Sequence, residues 1–150
     1  MALFVESATV THGIQLAVAP VFLLTAVSGL IGAVAGRLSR IIDRGRVLED
    51  RLRQEAGSEL VPQWRSELLM LRRRGLLANT AIGLLTLCAL MIGLTIVVLF
   101  LGETTAFRID RWAIYAFLGG VSCFMAALVC FFAETLLAAR VLRFGHLDGR

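Results

Sequence analysis

The sequence predicts an all-α integral membrane protein: three transmembrane helices, with a cytoplasmic antiparallel helical hairpin between helices one and two. Three observations lead there. Charge is scarce, at 17% of 150 residues against about 25% in an ordinary soluble domain, and it falls in blocks. Residues 7–36 carry only His12, while residues 75–102 and 112–133 carry no Asp, Glu, Lys, Arg or His, giving runs of 30, 28 and 22 residues. About 20 apolar residues cross a hydrocarbon core of about 30 Å, so each run is long enough. The runs also lack the polar stripe that a soluble bundle helix shows, and mean hydropathy is +0.82. Finally, ten of the fifteen basic residues, all arginine, lie in residues 37–74 between two of these runs.

The chain reads as a single membrane domain over residues 1–150. Its opening, MALFVESATVT, lacks the basic n-region and short apolar core of a secretory signal, so the start is expected to stay and insert. The first membrane helix is expected over residues 13–36. Pro20 lies inside it and cannot donate to the carbonyl of Leu16, which predicts a kink, with Gln15 one turn earlier to support the opened backbone. Ser28, Gly32 and Gly36 recur every four residues, with Gly29 and Ala33 alongside. Such a small-residue ridge lets another helix approach closely, whether from this chain or another subunit.

No helix breaker separates this run from the arginines. Leu38, Ile41, Gly45, Leu48 and Leu52 are spaced 3, 4, 3, 4, as are Val61, Trp64, Leu68, Leu71 and Gly75. That is the spacing of a helix seam. Between the seams, Ala56-Gly57-Ser58 marks a turn, with Ser58 as N-cap and Pro62 in the first turn of the returning arm. Two narrow seams joined by a short turn predict the hairpin over residues 37–74, with an outgoing arm of roughly 28 Å at about 1.5 Å per residue. The i,i+4 pairs Arg46–Asp50, Glu49–Arg53 and Arg51–Glu55 support it from outside, at about 0.2–0.5 kcal/mol each.

Helix two follows over residues 75–101, apolar all round except for Asn79, Thr80, Thr86 and Thr95. A short loop with two acids and two arginines leads to helix three over residues 112–139, where Trp112 and Tyr115 suit an aromatic belt. Basic loops stay on the cytoplasmic side. Ten arginines in the first loop and three in the tail stand against none at the N-terminus and two in the second loop. The N-terminus is therefore expected outside, and the hairpin and C-terminus in the cytoplasm.

The functional residues follow from this placement. The surplus charge sits between membrane runs, so anionic lipid is the expected partner and nucleic acid is not. Arg37, Arg40 and Arg44 share one helix face just beyond the first run. Arg72, Arg73 and Arg74 anchor the start of the second. Both sets are candidates for contact with lipid headgroups or a protein partner, each arginine being worth about 1 kcal/mol near an anionic surface. Glu134 lies inside the third helix, where a carboxylate must face protein, water or a partner. Asn79 and Thr80 stand at a similar depth. Two readings are open: a proton- or cation-handling site of Glu134, Asn79 and Thr80, which Thr135 can join, or a carboxylate near the interface that is hydrated or paired with Arg37, Arg74 or Arg140. His12, Gln15 and Glu103 read as polar residues at helix ends. Cys88, Cys123 and Cys130 lie in apolar runs without a CxxC pair, so metal and redox chemistry are not expected. No nucleotide, phosphate-loop or nucleophile motif is visible, and neither enzyme activity nor a cofactor is expected.

Gln15, the run Ala19-Pro20-Val21-Phe22-Leu23-Leu24, then Arg37-Leu38, Arg40-Ile41, Asp43-Arg44 and Arg46 resemble the signature of a family of small multi-pass bacterial membrane proteins of unknown function. The resemblance spans nearly the whole chain. It implies a small multi-pass bacterial protein, for which the inner membrane is the expected location, and supplies no reaction, ligand or catalytic residue. The topology is also similar to that of proton-channel subunits of stator-type motors, which implies an oligomer. Three functions follow as expectations: a non-enzymatic homo-oligomer whose hairpin serves assembly or partner binding, an ion- or proton-conducting oligomer with Glu134 near the path, or a lipid-interacting accessory subunit.

Overall fold

The computed structural model describes the backbone of residues 2–55, 57, 59–104 and 110–144, and the side chains of 15, 18–55, 57, 59–102 and 111–139. The described residues are helical apart from the first turn region: α1 spans Ala2–Gln54, α2 Val61–Thr104 and α3 Asp110–Phe144. Each contains a stretch long and apolar enough to cross a membrane, within Val18–Gln54, Val61–Gly102 and Arg111–Ala139. At most 22% of the residues in each apolar window are buried. The large side chains Phe22, Leu76, Leu90, Val129 and Phe132 point outward. In water such a surface is unfavourable at about 25 cal/mol per Å²; in lipid it is solvated.

The helices outrun their apolar segments. α1 continues without interruption through Pro20, which is buried, and through the arginines to Gln54. α3 begins two residues before Trp112 and continues past Ala139. Backbone hydrogen bonding does not stop where lipid ends, so a helix boundary and a membrane boundary need not coincide. Arg51 and Arg53 occupy the last turn of α1, where positive charge suits the helix dipole. Pro62 is the second residue of α2, where its missing N–H costs little, and the N–H of Trp64 donates to the carbonyl of Leu60 at 3.1 Å. Ser58, the expected cap, lies outside the described residues, as do residues 105–109, the tail 145–150, and the side chains of His12, Glu103 and Arg140.

Burial follows one rule along each helix. On α1 the buried positions are Pro20, Val27, Val34, Ile41 and Leu48, seven residues apart. On α2 they are Leu71, Ala78, Leu85 and Ile92, with Ala81, Cys88 and Thr95 repeating at the same interval. On α3 they are Ala113, Gly120, Ala127 and Glu134. A seven-residue repeat keeps one narrow seam turned toward packed neighbours.

The chain divides into two compact units, one of residues 1–31 and 84–126 and the other of residues 32–83 and 127–150. In the first, α2 and α3 approach closely. A Cβ added at Gly120 would lie 3.0 Å from Ile92 Cδ1 and 3.2 Å from Met91 Cβ, so a larger residue there requires these neighbours to give way. Thr95 is buried and donates its hydroxyl to the Met91 carbonyl at 2.8 Å, which satisfies it within its own helix.

The second unit holds two clusters. Val34 of α1 packs with Ala78 and Ala81 of α2, joined by Leu38, Ile82, Cys130 and Phe131. Further along, Ile41, Leu48 and Leu71 are covered by Trp64 and Leu68. Gly45 faces Leu68, and Gly75 faces Leu38 and Ile41. Of the seam residues expected from their 3, 4 spacing, Leu38, Ile41, Gly45, Leu48, Trp64, Leu68, Leu71 and Gly75 lie in these contacts.

Candidate functional site

The seam of α3 carries small residues at Ala113, Gly120 and Ala127, and then the next position brings a glutamate. Glu134 is 1% exposed. A carboxylate removed from water needs compensation of its charge, and two guanidiniums supply it. Arg74 Nε and Nη2 donate to Oε1 at 3.1 and 2.9 Å. Arg37 Nη2 lies 2.9 Å from Oε2. That approach is off the hydrogen-bond axis, so Oε2 receives charge but no directed hydrogen bond. Arg37 is itself held. Its Nη1 donates to the Thr135 hydroxyl at 3.2 Å, and its guanidinium carbon sits 5.1 Å from the centre of the Phe131 ring, within reach of a cation–π contact.

Arg37 and Arg74 are the first charged residues beyond the uncharged runs of α1 and α2. The cluster therefore ties all three helices together at the edge of their apolar segments. The alternative reading, a polar site with Asn79 and Thr80, is not assembled: both are exposed, and Thr80 donates to the carbonyl of Leu76 in its own helix at 2.8 Å.

Beside the cluster lies a cleft of about 490 Å³ lined by Arg37, Arg40, Arg44 and Arg74, with Ile41 and Leu71. Arg44 bonds Glu67 of α2 at 2.9 Å. Arg40 uses its Nε on the Gly36 carbonyl at 3.3 Å. Arg72 and Arg73 do not line this cleft; both are exposed, and Arg72 pairs with Glu49 at 3.5 Å. On another face of the two arms, a groove is lined by Ile42, Gly45, Arg46, Glu49, Leu68 and Arg72, among others.

The small-residue ridge of α1 is open. Ser28 is exposed, and a Cβ added at Gly29, Gly32 or Gly36 would meet nothing within 4 Å. Among the described residues, no helix of this chain uses that ridge. Sequence reasoning named Glu134, placed Thr135 beside it and offered Arg37, Arg74 or Arg140 as its partner, of which Arg37 and Arg74 are in contact; it did not name Phe131 as a support of Arg37, nor Gly120 as the point of closest approach. The signal for Gly120 was present: Ala113, Gly120, Ala127 and Glu134 share one heptad phase. No group of His, Cys, Asp and Glu that would hold a metal occurs among the described residues, and the three cysteines are free.

Three apolar spans and a charged cluster at their edge define a multi-pass helical membrane protein. Within that class the chain belongs to the family described as "Protein of unknown function (DUF2721)", whose model matches residues 17–144, in agreement with the resemblance drawn from Pro20 and the arginines after Gly36. No curated protein and no solved structure matches it.

Proposed function

We propose that the protein is a non-enzymatic, oligomeric inner-membrane protein of a bacterium, and that residues 37–74 form a cytoplasmic antiparallel hairpin serving assembly or partner binding. The N-terminus faces outward and the C-terminus the cytoplasm, as the distribution of arginines requires. The hairpin reading is supported by the contacts of Gly45 with Leu68, Gly75 with Ile41 and Arg44 with Glu67, in which a later residue of one arm meets an earlier residue of the other. The observation that carries the functional reading is the exposure of Ile42, Val47, Leu69 and Met70. These side chains lie beyond the uncharged runs, at and past the level of the first arginines, and apolar groups left open beside charged neighbours mark a contact surface.

Glu134 has a structural role in this reading. Two guanidiniums hold it, so its surroundings carry net positive charge, which repels cations. The cluster works as a pin: a charge at one seam position is matched only when α1 and α2 present Arg37 and Arg74 at its level.

Light scattering or native mass spectrometry of the purified chain tests the proposal. A discrete oligomer is expected, with Val47→Glu/Leu69→Glu reducing it to smaller species while helicity is kept. A stable monomer that retains no partner on purification, or an oligomer indifferent to both substitutions, defeats it. Flux through liposomes that falls with Glu134→Gln, without a change in oligomer or stability, would move the reading to an ion-conducting oligomer.

A further inference from the structure

From the cleft beside Glu134 we infer a binding site for the phosphate of an anionic phospholipid headgroup, formed by Arg37, Arg40, Arg44 and Arg74. This rests on the membrane placement of the helices and not on the oligomer proposed above. Four arginines line the cleft, and among the described residues Glu134 and Glu67 are the carboxylates bonded to them. Two positive charges are thus left without a matching acid among the described residues. Arg40 in particular bonds only a backbone carbonyl. Converging guanidiniums fit phosphate, because their planar N–H groups match its oxygens in pairs.

The donors are also held before any ligand arrives. Arg74 is fixed by two bonds to a buried carboxylate, and Arg37 by the same carboxylate, Thr135 and Phe131. Glu134 is therefore a positioning residue for the site. It aims two cations that would otherwise be mobile, which lowers the ordering cost of binding. A volume of about 490 Å³ lies within the range of about 300–1,000 Å³ common for small-molecule sites.

Depth assigns the phosphate to lipid. Arg37 follows the last residue of the uncharged run of α1, and Arg74 precedes the first of α2. Charges at that level meet headgroups. The apolar surface that continues inward from there is open to acyl chains. A free phosphate would gain nothing from that position.

The test uses the full chain, delipidated in a neutral detergent. It is titrated with short-chain phosphatidylglycerol, with short-chain phosphatidylcholine and with inorganic phosphate, and adducts are counted by native mass spectrometry. Wild type is expected to retain one phosphatidylglycerol per chain in preference to phosphatidylcholine. Arg40→Gln is expected to weaken retention about fivefold, as loss of one arginine at an anionic surface does, and Arg40→Gln/Arg44→Gln to weaken it further. Arg51→Gln/Arg53→Gln, which removes equal charge outside the cleft, is expected to leave it unchanged. Arg40 is exposed and bonds only the Gly36 carbonyl among the described residues, so its replacement is expected to leave the fold intact. Equal retention of both lipids, or equal loss in the Arg40/Arg44 and Arg51/Arg53 variants, would show only general adhesion and overturn the site. Inorganic phosphate displacing the lipid at equal concentration would assign the cleft to a soluble anion. Retention of an acidic protein in place of lipid would overturn the assignment as well.

Discussion

Two sets of ion pairs draw on arginines of α1 and α2 and differ in almost everything else. Glu134 is buried and shared by Arg37 and Arg74, whose side chains are 31% and 20% exposed. The pairs Arg44–Glu67 and Arg72–Glu49 lie further along the arms and are open to solvent on both sides, with no partner less than 40% exposed. The chemistry is identical, guanidinium against carboxylate. Water makes the difference: it screens the outer pairs and solvates their members when they part, whereas Glu134 has no such alternative. The inner cluster is therefore obligatory and the outer pairs are adjustable.

The sharpest way to break this contrast is Glu134→Ala. Removing the carboxylate leaves two partly buried guanidiniums facing each other, and a loss of about 3–5 kcal/mol is expected, read from unfolding in mixed micelles. A loss below about 1 kcal/mol, the range of an exposed pair, would place Glu134 with the outer pairs. The triple change Arg37→Met/Glu134→Leu/Arg74→Met is expected to recover most of that loss, since apolar groups of similar volume replace a buried ion cluster at little cost, while phosphatidylglycerol retention disappears.

A second substitution asks whether buried and open also separates glycines. Gly120→Ala places a methyl group against Ile92 and Met91, and overpacking of this kind costs about 1–3 kcal/mol. Ile92→Val, which removes the nearest atom, is expected to recover part of it in the double variant. Gly32→Ala meets nothing in its own chain. In a dilute monomer it is expected to stabilise α1 by about 0.5–1 kcal/mol through helix propensity. If the ridge is covered by a second copy, the same change lowers the oligomer population, so the direction of the effect reports what covers it. The smallest effect belongs to Arg44→Gln or Glu67→Gln, each expected to change stability by less than about 1 kcal/mol. That difference should vanish in 1 M salt, where screening acts within about 3 Å; persistence would mean that the pair is shielded.

Much of this was legible before any coordinates. The three uncharged runs demanded three membrane helices. Over residues 37–74 the outer faces are charged, so the spacing of the remaining apolar residues marked a seam, and Ile41, Leu48, Trp64, Leu68 and Leu71 of that seam pack together. Inside the membrane runs that signal is absent. α2 is apolar all round, and nothing in its composition distinguishes Leu85, Cys88 and Ile92, which are buried, from Leu87, Leu90 and Leu94, which are exposed. The same limit applied to the small residues. Ser28, Gly32 and Gly36 made the more regular ridge, yet the close approach falls on Gly120 and leaves that ridge open.

The sequence by itself determined what is apolar, what is charged and how long each stretch is. From these follow the class, the number of spans and the depth of Glu134, because burying charge in hydrocarbon and leaving backbone groups unbonded there are both prohibitive. Tertiary structure decided which face of each helix is turned inward. It brought residues 37, 74 and 134 to one point and left Asn79 and Thr80 outside it. Lipid and protein interior are equally apolar, so within the membrane the hydrophobic pattern selects no face. There the choice falls to shape and to the pairing of a few charges.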